Sequence, residues 1–122
     1  MVSGVLVAES LRADGELSGV PLSVTRVRRV RAAGVGDGQP ADWTLLHFEA
    51  ADRDAPALAD ALADCLSPEG GWYADFHGAT EVYVVFAGHV CRYRRGDAAG
   101  REAARAYGRS AGVPEEQLDW GE

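Results

Sequence analysis

Six short stretches of this chain carry the β-branched, aromatic or two-residue alternating pattern of strands, and only two carry the spacing of an amphipathic helix. Val5 to Leu11 is the first strand. Val20 to Val30 begins with Val20, Leu22 and Val24 on one face; Val27 and Val30 then break parity, which a bulge near Arg26 would restore. Trp43 to Ala50 sets Leu46, Phe48 and Ala50 against Leu45, His47 and Glu49. Trp72 to His77 sets Trp72, Ala74 and Phe76 against Tyr73, Asp75 and His77. Glu81 to Phe86 and His89 to Arg94 are joined through Ala87-Gly88.

The two helices have readable ends. Asp54 is placed as the N-cap of the first, with Pro56 in its first turn and Leu58, Ala61, Leu62, Cys65 and Leu66 as its apolar stripe. Ser67 to Gly71 ends it. Asp97 caps the second, which runs to Ser110 with Gly112 at its C-terminal end. Ala99, Ala103, Ala106 and Tyr107 are its expected apolar face, and Arg101, Arg105 and Arg109 a solvated line. Leu118 and Trp120 are expected to fold the tail back onto the body. The order β-β-β-α-β-β-β-α predicts one α+β domain over residues 1–122: an antiparallel sheet of about six strands with both helices on one face. The other face is then solvated, paired with a second subunit, or used for a ligand. The Gly- and Pro-bearing stretch from Ala33 to Pro40 reads as the clearest loop.

Charge narrows the partners. The chain has 122 residues and a net charge of −7, and all 12 basic residues are Arg. Lys, Asn and Ile are absent, a codon signature of a G+C-rich genome, so guanidinium chemistry need not have been selected. Residues 41–80 set Arg53 alone against eight acids. Such a balance opposes non-specific binding to nucleic acid or anionic membrane. No apolar run approaches the ~20 residues of a membrane span, and Met1 to Glu9 lacks the basic start of a signal peptide. A cytoplasmic location is expected. Cys65 and Cys91 both sit among apolar neighbours, so two buried free thiols are expected rather than a disulfide.

The stretch Gly70-Gly71-Trp72-Tyr73-Ala74-Asp75-Phe76, the strand Val5 to Leu11 and the tail from Val84 onward resemble a family of small uncharacterised actinomycete-type bacterial proteins. The resemblance implies a bacterial cytoplasmic origin. It implies no activity, cofactor or catalytic residue.

Three constellations bear on chemistry. The first lies on alternate strand positions: His47 and Glu49, then Tyr73, Asp75 and His77, then Tyr83, His89 and Tyr93, with Cys91 beside the last two. On one face these residues would line a pocket in which aromatics hold an organic ligand and imidazole–carboxylate pairs move protons. The same residues also suit a plain polar sheet face with aromatic cross-strand pairs. The second is basic: Arg26 and Arg28 with their neighbours Arg29 and Arg31, and Arg92 and Arg94 around Tyr93, which would form an anion site if the two strands are adjacent. The bland alternative is surface pairing with the acidic middle third. The third is a nucleophile: Cys91 is placed better than Cys65, although a core thiol explains both. Gly34 to Gly38 lacks the Lys-Ser/Thr of a phosphate loop, and no metal motif or cofactor is implied. Two functions follow. One is a non-catalytic binding or accessory module working through an open sheet face, as a homodimer or on another protein. The other is a small enzyme or small-molecule binder using the Tyr/His/Asp face.

Overall fold

The computed structural model describes residues 1–32, 35 and 38–122; the loop expected from Ala33 to Pro40 lies partly outside them. Among the described residues there are six strands: β1 Val2–Val7, β2 Ser23–Arg31, β3 Asp42–Ala50, β4 Ala74–His77, β5 Glu81–Phe86 and β6 His89–Arg94. They form one sheet in the order β2-β3-β1-β4-β5-β6, with every neighbouring pair antiparallel. Two helices complete it, α1 Ala55–Cys65 and α2 Ala98–Ser110. The α+β class, the antiparallel sheet of six strands and the pair of helices agree with the sequence.

The placement of the helices does not. The core divides into two clusters, one on each side of the sheet. Leu58, Leu62 and Cys65 of α1 pack with Leu6, Phe48, Phe76, Tyr83 and Val85. Ala104 of α2 packs with Val82, Val84, Phe86 and Tyr93, together with Val113, Leu118 and Trp120 of the tail. Tyr83 and Val85 alternate with Val82, Val84 and Phe86 along one strand, so α1 and α2 cover opposite faces. The cause is written in β5, whose residues Val82 to Phe86 are all buried. A strand apolar on both faces needs cover on both. Reading both helices onto one side overlooked that this segment does not alternate.

Local details follow similar logic. The bulge expected near Arg26 is there, a register shift between Val24 and Arg26 against β3. β1 lies earlier than expected because a 3-10 turn at Ala8–Ser10 ends it, leaving Leu11 as a bridge to Leu66. Asp54 is not a side-chain cap: a 3-10 turn at Asp52–Asp54 runs straight into α1 and holds it in helical geometry. Asp97 does cap α2, accepting from the Gly100 N–H at 3.1 Å. The buried face of α2 is Ala104 and Gly108, whereas Ala99, Ala103 and Ala106 are exposed. Glycine is what lets this helix approach, because a Cβ at Gly108 would stand 2.6 Å from Leu118 Cδ2. Arg101, Arg105 and Arg109 are tied to the tail, through Trp120, Glu115 and Glu122, rather than left to solvent. Cys65 is buried and Cys91 half-buried, both as free thiols.

Gly4 sits at the centre of β1, opposite Phe48 on one side and Phe76 on the other. The two rings meet edge to face with centroids 6.0 Å apart. A Cβ on Gly4 would lie 2.6 Å from Phe76 Cβ and press on the Asp75 carbonyl. Overpacking of this kind costs roughly 1–3 kcal/mol. Gly4→Ala is therefore expected to lower the urea unfolding midpoint by an amount equivalent to about 2 kcal/mol, whereas Gly121→Ala, in open space, should change stability by less than about 0.5 kcal/mol.

Candidate functional site

The face that carries α2 is covered over β5 and β6, while β1, β2, β3 and the β4 residues Asp75 and His77 lie beyond that cover. Pairing register defines what the uncovered part presents. Arg26 lies opposite His47, His47 opposite Val5, and Val5 opposite Asp75. The next row on this face is Ser23, Glu49, Ser3 and His77. Residues directly opposite in a sheet project to the same side. Four strands thus deliver two transverse rows to one surface.

The tail raises a wall along this surface. Tyr73 donates its O–H to the Gln117 carbonyl, and its ring meets Trp120 edge to face at 5.5 Å. Trp120 Nε1–H donates to Tyr93 Oη at 2.8 Å, and Arg101 lies over the Trp120 ring while donating to its carbonyl. Between this wall and the uncovered strands runs a trough made of two adjoining depressions, about 300 and 620 Å³. Val5, Tyr73, Asp75 and Asp119 line both. Trp43 and Trp72, rings 5.3 Å apart, flank the smaller depression; His47, Glu49 and His77 line the larger.

Five of the eight candidate ligand residues therefore meet: His47, Glu49, Tyr73, Asp75 and His77. Three do not. Tyr83 points to the α1 side, stacked on Phe76 at 4.8 Å with Arg92 over its other flank. His89, at the far side of the sheet, stacks on Tyr107 at 3.9 Å. Tyr93 is buried beneath the tail with its hydroxyl committed to Trp120 and Glu122. The expected anion patch also fails, because β2 and β6 are opposite edges of the sheet and Arg26 and Arg28 never approach Arg92 and Arg94. Arg92 instead pairs with Glu81. Sequence reading missed Asp119, Trp43 and Val7. The alternation of Val5 and Val7 in β1 pointed to the floor, but nothing in the tail's composition marked Asp119 as a wall residue.

The electrostatics of the trough are uneven. Burial, and then the charge of Asp119, push the Asp75 carboxyl up to about 7 against the opposing pull of Arg101. Burial and the same two carboxylates hold the Tyr73 phenol well above its ordinary range. His47 Nε2 and His77 Nδ1 are buried with no hydrogen-bond partner. Among the described residues the Asp75 carboxyl has no hydrogen bond, Arg26 and Arg28 have no ion pair, and no three His, Cys, Asp or Glu side chains are grouped to hold a metal ion. Cys91 packs with the α2-side cluster, where burial raises its thiol; that suits a core residue rather than a nucleophile.

Asp75 makes stability depend on pH with a definite sign. Its folded pKa is raised above 3.8, so between about 4 and 7 the folded chain keeps a proton that the unfolded chain has lost. Stability falls as pH rises through this window and the loss is complete above it. Asp119, Tyr73, His47, Glu49, His77 and Arg101 surround the group. Asp75→Asn is expected to gain about 1–3 kcal/mol at about pH 8 and almost nothing near pH 4, measured by urea unfolding at both. A loss of stability at the alkaline pH would show instead that the carboxylate is held by a favourable partner.

No protein-family model matches this chain, and neither a curated protein nor a solved structure is significantly similar to it.

Proposed function

We propose that this protein is a non-catalytic binding module that takes a small organic ligand in the trough over β1 and β3, in the cytoplasm of an actinomycete-type bacterium. The observation that carries the reading is the meeting of His47, Tyr73, Asp75 and His77 around a depression of about 620 Å³, next to a Trp-lined one. Ligand sites are concave, largely apolar surfaces with a few convergent polar groups. Here Val5, Val7, Trp43 and Trp72 supply the apolar area, and the Asp75 carboxyl, with no hydrogen bond among the described residues, supplies a polar anchor.

No helix among the described residues is long and apolar enough to cross a membrane. The acidic balance of the chain weighs against nucleic acid. Pairing with another subunit or protein through a wholly open sheet face loses part of its motive, since α2 and the tail already cover half of that face. The resemblance of the Gly70–Phe76 stretch to small actinomycete proteins supports the bacterial setting.

One observation favours a second reading, acid–base catalysis in the same trough. A carboxyl pushed up to about 7 in the same depression as two imidazoles is the type of group that exchanges protons at neutral pH.

A thermal-shift screen against a metabolite library tests the binding reading. At least one compound is expected to raise Tm by about 2 °C or more, which for a domain of this size corresponds to a ligand present at about its Kd or above. Trp43→Ala and His47→Ala should each abolish that shift. Stabilising compounds that act equally on both variants, or no such compound at all, would remove the reading; turnover of a compound that depends on Asp75 would replace it with the catalytic one.

A further inference from the structure

The first transverse row of this face carries opposite charges at its two ends, Asp75 in the trough and Arg26 on the exposed edge strand beyond the residues that line it. Arg26 stands on β2, His47 on β3, Val5 on β1 and Asp75 on β4, one behind the other. Arg28 follows on the next row of the same face, opposite Leu45 of β3. The guanidinium groups and the carboxylate do not neutralise each other within the protein. Three strand spacings of about 4.8 Å put the Cα atoms of Arg26 and Asp75 about 14 Å apart. Neither Arg26 nor Arg28 finds an acid among the described residues, although Arg29 and Arg31 on the other face of β2 pair with Glu9 and Asp42. At the opposite end, Asp75 stands in the field of Asp119 and faces open cavity.

From this juxtaposition we infer that the ligand is an elongated zwitterion of the size of a short peptide, its ammonium end at Asp75 and Asp119 and its carboxylate end at Arg26 and Arg28. The inference rests on the trough being a ligand site, and it adds which chemistry the site selects. An ammonium group between two carboxylates relieves their mutual repulsion. A carboxylate meets a guanidinium in forked geometry, the pairing for which Arg is suited. Between the ends, Val5, Val7, Leu45 and the Trp43 ring provide an apolar floor for side chains or methylenes. Length is part of the selection. An extended peptide spans about 3.3–3.6 Å per residue, so three residues reach about 10 Å and four about 14 Å. Arg side chains that lean inward shorten the gap to what three or four residues bridge. A purely cationic or purely anionic molecule would satisfy one end and leave the other in water.

The test is a titration of the isotopically labelled full chain with alanine oligomers of two to five residues, read from backbone amide shifts at about pH 7.5, where a peptide α-amino group keeps much of its proton. The tri- or tetrapeptide is expected to shift Ser3 to Val7, His47 and Asp75 most strongly. N-acetylation and C-terminal amidation should each weaken binding about fivefold, the scale of one partly screened ion pair. Asp75→Asn should erase the effect of acetylation but not of amidation, and Arg26→Ala with Arg28→Ala should do the reverse. Equal binding of free and doubly blocked peptides, or no shift in the trough from any oligomer, overturns the zwitterion. If a compound from the stability screen shifts the trough where the oligomers do not, the site survives and only its selectivity is wrong. If every binder shifts residues elsewhere, both fall.

Discussion

Burial of β5 on both faces is the constraint from which the rest of this structure follows. Val82, Tyr83, Val84, Val85 and Phe86 are each at most 3% exposed, and they alternate between two separate cores. One helix cannot cover both sides of a strand. α1 therefore closes one face with Leu58 and Leu62, and the other is closed by α2 with Val113, Leu118 and Trp120. α2 is poorly equipped to do this alone, since its buried surface is mainly Ala104 and Gly108. Small residues let the backbone settle close to Phe86, and the tail supplies the bulk that the helix lacks. The Trp120–Tyr93 hydrogen bond and the stacking of Arg101 on Trp120 hold that bulk in place.

The trough is a consequence of how far this cover extends. Its edge lies where Trp120 of the tail meets the Tyr73 ring, just before β4. Beyond it, β3 alternates in the ordinary way, with Leu46 and Phe48 inward and His47 and Glu49 outward. A fully covered face beside an uncovered one leaves a step, and the step is the wall. Asp119 stands on it because the tail must turn there to seat Leu118 and Trp120 in the core, which leaves the residue between them facing the cavity. The acid–acid proximity of Asp75 and Asp119 thus comes from two unrelated parts of the chain, a strand face and a packed tail.

Much of this was legible from residues alone, and the reasons for the exceptions are specific. β5, β6, the extent of α2, the Asp97 cap and the bulge before Arg26 all rest on local chemistry, which a sequence displays directly. His47 with Glu49, and Tyr73 with Asp75 and His77, were identifiable as same-face sets because alternation is local as well. Strand order is not local. Whether β3 or β6 lies next to β1 decides which sets meet, and the pairing of β1 with β3 and β4 brought His47 and His77 to one surface while leaving His89 at the far edge. The same order separated the two Arg clusters. The two-sided cover was in principle readable, since Val82 to Phe86 offers no polar alternate position, but counting helices against strands hid it. The exposed side of α2 misled for a different reason: alanines mark a helix without saying which side is buried, and here glycine gave the closer approach.

The trough also concentrates groups that a sequence under selection for stability alone would not keep. His47 Nε2 and His77 Nδ1 are buried without partners, and leaving a buried polar atom unpaired costs about 1–3 kcal/mol. Turning either ring about its Cβ–Cγ bond exchanges nitrogen and carbon positions, so each can offer a nitrogen on another side at little steric cost. Asp75 raises the cost further by ionising in the neutral range next to a second carboxylate. Elsewhere several charged groups are matched, Arg29 with Glu9, Arg31 with Asp42, Arg92 with Glu81 and Arg109 with Glu102 and Glu115, while Arg53 and Arg94 stand exposed with no ion pair among the described residues. The trough differs in gathering several unmatched groups, two imidazole nitrogens and the Asp75 carboxyl, around one concavity. Such departures concentrate at sites whose missing partner is a ligand. The buried Asp75 carboxyl in the field of Asp119, with two unpaired imidazole nitrogens around the same concavity, is therefore what the proposed binding reading rests on.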